Sequence, residues 1–444
     1  MAKQHSTRHT PMRAAAAGGL VVLGARSALG KARRVFKVGL VGCGRRGSDA
    51  LRQHVEAARI LRRALGSAVE VQVAATADYF RPKAERVGRR YGVPSPRCFG
   101  GADACAKLLA TDVDTVLLAT PPAFRPRHVQ AAVEAGKHVF LEKPAAVDPP
   151  GCRAVVAAGE AARKKGLAVV AGTQRRHIKG YIDTQAAVAG GAVGRIVAGR
   201  IAWCQRHAGP PAAIGKLDVD AFITSWRSWV ALSGDHIVDQ HVHNIDVANW
   251  FLGAHPVAAV GFGGRARRHA GDTYDFFSID FEYPDGVHIH SMCRQIDDTH
   301  VWVGEELIGE HARQTDPDKK PPRGPAAGRL DCRGGLLRGE SVVPGDIPQH
   351  RRGHQQEHIN MLYYLARGTP LNQARALAEA TAAAILGRTA AYTGKRIEWR
   401  DLMDDPARKP ELYNLTLRPT AEEIEKGTAK LPEEGAAPVP GKKA

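Results

Sequence analysis

From Val35 onward the chain alternates short apolar runs with longer stretches of helical periodicity. Residues 36–41 predict a buried strand and residues 46–65 a helix. Residues 69–75 predict a second strand, followed by a helix through Tyr91. Three further apolar runs, at 114–119, 137–141 and 167–171, predict strands separated by Ala-rich helical stretches. Strand–helix alternation at this spacing points to a doubly wound parallel sheet covered by helices on both faces.

After about residue 176 the pattern changes. Phe277, Ile279, Phe281 and Tyr283 recur at period two, so they share one face of a strand. Pro284, Asp285 and Gly286 then turn the chain into residues 287–293, which predicts an antiparallel hairpin. Strands are also expected at 196–205, 257–264 and 330–342, and helices near 354–366 and 372–392. Residues 313–328, rich in Pro, Lys, Asp and Gly, read as a surface insertion. The expected fold is α/β: an N-terminal parallel-sheet domain over 35–176, and a C-terminal domain with an open, mainly antiparallel sheet over 177–404. A polar tail follows over 405–444. No internal repeat is visible.

Composition narrows the class. The chain has 444 residues, 44% hydrophobic and 24% charged, which excludes a disordered chain, a collagen and a small disulfide scaffold. No apolar run reaches the roughly 18 residues that a membrane-spanning helix needs. The formal charge is +18, but no helix-turn-helix, zinc-finger or RNA-platform pattern accompanies it, so no nucleic-acid partner is expected. Cys43, Cys98, Cys105, Cys152, Cys204, Cys293 and Cys332 include no C-x-x-C pair and read as small buried residues. Residues 1–34 carry seven Lys and Arg and no acid, then an Ala/Gly-rich apolar stretch and a small-x-small sequence at Ala25–Ser27. They resemble a twin-arginine export leader in which Arg8-His9 replaces the arginine pair. An uncleaved tail on a cytoplasmic protein is the other reading.

Candidate chemistry begins at the first strand–helix turn, where Gly42, Cys43, Gly44, Arg45, Arg46 and Gly47 form G-x-G-x-x-G. In this context the first glycine permits the tight turn, the second admits a pyrophosphate and the third packs helix on strand. The turn predicts a Rossmann dinucleotide-binding domain. Asp78, just past the second strand, is placed to accept hydrogen bonds from an adenosine ribose. It lies 31 residues beyond Gly47, against the usual distance of about 20, and the long first helix absorbs the difference. A carboxylate here favours NAD over NADP, although Arg81 and Lys83 nearby leave NADP open.

Thr120 and Pro121 follow one strand, and Glu142, Lys143 and Pro144 follow the next. Both sites fall at strand carboxyl ends, where ligands bind in open parallel sheets. On a helix, Asp239, His243 and Asp246 fall at i, i+4 and i+7, one face, which is a reasonable acid/base set. With the Gly-rich turn and the segment 171–177, these motifs resemble the Gfo/Idh/MocA oxidoreductases over roughly residues 35–400. That resemblance implies hydride transfer between a nicotinamide and a hydroxyl-bearing carbon of a sugar, cyclitol or derivative. It also implies a homo-oligomer built through the C-terminal sheet. Carried over, it makes Lys143 the contact to the reacting oxygen and the nicotinamide ribose, His243 the general acid/base and Asp239 its positioning carboxylate. Thr120 and Pro121 then lie along the nicotinamide side of the cofactor, and Glu142 also binds it.

Some positions depart from the pattern or stay open. Gln240-His241 stand where many relatives have Gly, so His241 competes with His243 for the base role. Gln174, Arg175, His177, His241 and Asp246 are candidates for substrate hydroxyls or a carboxylate. Trp226 and Trp229 could each stack on a sugar face, and each reads equally as core. His350, His354 and His358 recur at i, i+4 and i+8, but Arg351 and Arg352 among them favour a solvated helical face over a metal site, and no metal is expected. Two other functions are compatible with these residues: a glycosidase using NAD for transient oxidation, and a non-catalytic NAD-binding protein.

Overall fold

The computed structural model describes residues 34–66, 69–207, 217–310, 329–331, 347–405 and 417–432. Its first half runs β1 (Arg34–Val41), α1 (Arg45–Leu65), β2 (Val69–Ala77), α2 (Arg81–Arg90), β3 (Cys98–Phe99), α3 (Ala104–Leu109), β4 (Thr115–Leu118), α4 (Arg125–Glu134), β5 (His138–Leu141), α5 (Pro149–Lys164) and β6 (Val169–Ala171). All five expected strands form; β3, two residues long, is the one without a sequence signal. The six strands pair in parallel in the order β3-β2-β1-β4-β5-β6. Between β1 and β4 the winding reverses, which opens a crevice at the strand carboxyl ends. Gly66 ends α1 in the left-handed region and returns its N–H to the Arg62 carbonyl, as a helix C-terminus requires.

The second half runs α6 (Lys179–Ala189), β7 (Ile196–Gln205), α7 (Val219–Thr224), α8 (Val230–Ser233), α9 (Val242–Leu252), β8 (Ala258–Gly264), β9 (Phe276–Tyr283), β10 (Val287–Gln295), β11 (Trp302–Gly309), β12 (Arg329–Asp331), α10 (Gly353–Ala366), α11 (Ala374–Thr393), β13 (Ile397–Glu398) and α12 (Ala421–Glu425). Its sheet has the order β12-β11-β7-β10-β9-β8-β13 and is antiparallel except between β7 and β10. The period-two residues Phe277, Ile279, Phe281 and Tyr283 are all buried, under α11; each such burial contributes roughly 1.5–3 kcal/mol.

Strand β11 carries no alternation in sequence because Glu305 and Glu306 sit in its middle. Both carboxylates are buried but paired, Glu305 with Arg175 and Glu306 with Arg200. Of the strand expected over 330–342, only Arg329–Asp331 is described. The leader through residue 33, the insertion at 313–328 and Cys332 lie outside the described residues.

The solvated face expected for α10 is corrected. His358 is fully buried against Phe140, with its Nδ1 3.3 Å from Nδ1 of His54. Glu357 is equally buried, His354 is half-buried and only His350 is exposed. The helix packs on α1 of the first domain, Ile359, Leu362 and Tyr363 meeting Ala57, Ala58 and Leu61. Residues 417–432, in the stretch read as a polar tail, also fold back: Ala421 and Ile424 join an apolar cluster with Phe124, Phe222 and Trp229. Among the described residues no helix is long and apolar enough to cross a membrane, and no cluster of side chains could hold a metal ion. The six described cysteines are free and buried.

Candidate active site

The glycine turn is locked by its own packing at two of its three glycines. Gly42 has φ +94°, and a Cβ there would lie 2.6 Å from the Ala119 carbonyl carbon. A Cβ on Gly47 would lie 1.8 Å from the Gly42 oxygen. Gly44 differs: nothing lies within 4 Å of its Cβ position, and its φ is an ordinary −71°. It faces a groove whose walls include Asp78, Thr120, Pro121 and Phe124. No side chain caps the amino end of α1 there, so its first N–H groups and the positive end of the helix dipole are available to an anion.

Asp78 stands on the groove with a fixed carboxylate. Oδ2 accepts the Cys43 N–H at 2.7 Å and Oδ1 the Phe80 N–H at 2.9 Å. The Cys43 side chain itself is buried, and burial pushes its thiol far above the ordinary range; it is a packing residue. Arg45 is exposed. Arg46, expected on the cofactor, bridges two buried carboxylates, Glu142 and Glu357, with Gln53 at 2.8 Å. Open space over one glycine, an uncapped helix end and a fixed carboxylate together fit a dinucleotide.

Lys143 follows β5, joined to Pro144 by a cis peptide bond. Its ammonium donates to the Asp239 carbonyl and lies 3.8 Å from Asp239 Oδ1. The other Asp239 oxygen takes Gln240 Nε2 at 2.7 Å and Arg227 Nε at 3.4 Å. Burial alone would raise Asp239, but Lys143 and Arg227 hold it below the usual carboxylate range. Burial pushes Lys143 down, against the pull of Asp239 and Glu142. Asp239 lies in a wide π-helical turn, Ile237–His241, that runs into α9; such turns recur at functional sites.

His243 is buried and stacked on Trp203, ring centroids 5.7 Å apart. Its ring nitrogens make no hydrogen bond among the described residues. Burial, then the charges of Lys143 and Arg175, push it well below its ordinary value; it is a neutral imidazole near neutral pH. Lys143 thus contacts Asp239, and its charge acts on His243.

Several other candidates do not join them. His241 turns to the sheet and bonds Ser291 Oγ at 2.7 Å, fully buried. Asp246 is held by Arg176 Nε at 2.9 and 3.0 Å, so it is committed to structure. Arg175 reaches the same neighbourhood, its charge acting on His243 and its guanidinium 5.8 Å from the Trp203 ring, but it is paired with Glu305, which also accepts from Tyr181 and Asn244. His177 bonds Asn360 and Gln373. Trp229 is core, while Trp226 lines the dinucleotide groove with Asp78 and Thr120. The Gln174 amide oxygen is buried without a partner among the described residues.

Two family models match this architecture: the NAD-binding Rossmann fold of the Gfo/Idh/MocA oxidoreductase family over residues 36–173, and the GFO/IDH/MocA C-terminal domain over 181–313. The chain belongs to the Gfo/Idh/MocA family. Similar curated proteins include inositol 2-dehydrogenase 3 of Saccharopolyspora erythraea, 32% identical over 223 residues, 50% of this chain and 55% of that one. Inositol 2-dehydrogenase of Paracoccus denitrificans is 30% identical over 217 residues, 49% and 54% of the two chains. The match thus spans about half the length of these relatives. Among solved structures, an oxidoreductase domain protein from Kribbella flavida superposes with a TM-score of 0.65 at 17% identity, covering 82% of this chain and 98% of that one. Levoglucosan dehydrogenase in complex with NADH and levoglucosan gives 0.62, again at 17% identity, covering 82% and 99%. These likenesses show the fold.

Within this Gfo/Idh/MocA chain one residue near the site, Arg125, had escaped the motif reading, and another, His354, had been read as part of a solvated face. Arg125, at the start of α4, donates to the Thr120 carbonyl at 2.9 Å and the Pro144 carbonyl at 2.6 Å. It ties the loop after β4 to the loop after β5. A buried arginine five residues after Thr120 was the available signal. His354, from α10, feels the charges of Arg46, Glu142 and Lys143 and, mainly through burial, is pushed down to about 4. Its approach to the site could be found only from the tertiary fold.

Proposed function

We propose that this chain is an NAD-dependent dehydrogenase that oxidises a hydroxyl-bearing carbon of a sugar, cyclitol or derivative. The observation that carries this reading is the buried imidazole of His243, without a ring hydrogen bond among the described residues and within the field of the Lys143 ammonium, in a chain whose parallel sheet carries a dinucleotide groove. The names of the relatives, inositol 2-dehydrogenases, support the substrate class.

Oxidation of a carbinol removes two electrons with hydrogen from carbon and a proton from oxygen. The nicotinamide, when bound, supplies the hydride acceptor. His243 takes the hydroxyl proton, for which a neutral imidazole is required. Lys143 stabilises the negative charge that develops on the oxygen. Asp239 fixes the lysine by accepting its charge, and Arg125 holds the loops that carry Thr120 and Lys143 in register. Asp78, facing the ribose, favours NAD over NADP, since a 2′-phosphate would meet its carboxylate.

The test is a panel of inositols, sugars and glycosides with NAD or NADP, followed at 340 nm with product analysis. Stoichiometric NADH and ketone support the reading. Free sugar released from a glycoside without net NADH would replace it by the glycosidase reading. We also infer that the outer face of the seven-stranded sheet, where Val260 and Phe262 are exposed, pairs with a second copy; a monomeric mass by light scattering would overturn that.

A further inference from the structure

The groove beside the glycine turn is not built by the first domain alone. Its lining includes Ile223, Thr224 and Trp226 from α7 and its continuation, and Ile424 and Glu425 from α12. The last two lie nearly 350 residues beyond Asp78 on the same groove. We propose that residues 417–432 form a wall of the cofactor site and cover its adenosine half, so that release of the dinucleotide requires this segment to move.

The segment is anchored on both sides of the groove. Arg127 of α4 holds Glu422 at 2.9 Å and Glu425 at 3.2 Å. His128 Nε2, on the same helix, lies 3.8 Å from Glu425, and its Nδ1 lies 3.3 Å from Thr120 Oγ1. Asp148, the N-cap of α5, accepts the Leu417 N–H at 3.0 Å. A capping box between Thr420 and Glu423 fixes the start of α12. On the apolar side Ala421 and Ile424 are buried with Phe124, Phe222 and Trp229, and Leu417, Ala429 and Leu431 pack against them. A surface tail would not have this buried face.

The adenosine half is the part concerned because of what else shares the groove. In a doubly wound sheet the pyrophosphate sits at the α1 amino end and the acid after β2 accepts the ribose. Here that acid is Asp78, with Tyr79 and Phe80 beside it. An adenine ring gains chiefly by burying its flat apolar faces, and Ile424 and Phe124 supply apolar surface on the same groove. This inference rests on the NAD-binding reading of the groove but assigns a role to residues outside the domain that carries the motif.

The experiment uses the full chain. Hydrogen–deuterium exchange of the wild type with and without NADH is expected to show slowed exchange in residues 417–432 as well as at the glycine turn. NADH dissociation by stopped-flow displacement and Kd by fluorescence are then measured for Ile424→Gln and Arg127→Glu. Both variants are expected to release NADH about five- to tenfold faster, with a matching rise in Kd. Protection of the glycine turn without protection of 417–432 overturns the proposal. So does an Ile424→Gln variant whose release rate and Kd stay within about twofold of wild type. Absence of NADH binding by every probe overturns the cofactor reading itself, and this proposal with it.

Discussion

The side-chain nitrogen of Lys143 lies 3.8 Å from a carboxylate oxygen of Asp239, although 96 residues separate the two in the chain. The lysine comes from the parallel-sheet domain and the aspartate from the second, so the pair forms only when both are folded together. Replacing Lys143 by Met is expected to reduce kcat by about a hundred- to ten-thousandfold. His243→Ala should do the same while leaving NADH affinity near wild type, as measured by fluorescence titration. Near-normal turnover in either variant would remove the proposed mechanism.

The pH profile of oxidation follows from the same histidine. A base whose folded pKa is depressed stays deprotonated at acidities where free histidine, near 6.5, would be protonated. The acid limb of kcat/KM is therefore expected below 6.5, with full activity retained as pH falls through that value. A limb above 7 would assign the proton transfer to another group.

The glycines of the turn should separate folding from binding. Gly47→Ala places a methyl against the Gly42 carbonyl and is expected to lower the melting temperature sharply. Gly44→Ala meets open space and an ordinary backbone angle, so its melting temperature should match wild type. Its NADH Kd should nevertheless rise by about tenfold or more, because the methyl enters the groove. Unchanged affinity would argue that the dinucleotide lies elsewhere.

Stability should fall in mild acid. Burial holds both His54 and His177 down to about 4, whereas unfolded histidine titrates near 6.5. Between those values the unfolded chain binds protons that the folded chain refuses, so stability present above 6.5 is lost as pH falls towards 4. The loss is on the order of 3 kcal/mol per histidine. Chemical denaturation at pH 7.5 and pH 5 checks it; equal midpoints would show that neither ring is excluded from water.

Arg46 offers a complementary test. It bridges Glu142 and Glu357, both buried, so Arg46→Met leaves Glu357 without its counter-charge and Glu142 with only Arg125 and Lys143. A destabilisation of about 3 kcal/mol is expected. Glu357→Gln in the same background should recover part of it, read as a rise in the denaturation midpoint.

Local pattern carried most of the fold and the turn that lines the groove. Alternation exposed β9 through Phe277, Ile279 and Phe281, and strand–turn–helix context exposed the Gly42–Gly47 turn. What failed was whatever depended on distant partners. Helical spacing puts Asp239, His243 and Asp246 on one face, but the π-helical turn at Ile237–His241 shifts the phase before α9 begins, and Arg176 claims Asp246. Arginines around His354 and His358 suggest a wet face, yet His54 and Phe140, over 200 residues earlier, cover His358. Strand β11 was masked by Glu305 and Glu306, whose charges are neutralised by Arg175 and Arg200 from other elements.

The return of α10 and α12 onto the first domain has a consequence for biosynthesis. The parallel sheet is complete by Ala171, but the helix that buries the α1 surface begins only at Gly353 and the segment that lines the groove only at Leu417. During synthesis Ala57, Ala58 and Leu61 stay wet until α10 has emerged, so the two halves can settle only after the second sheet has been made.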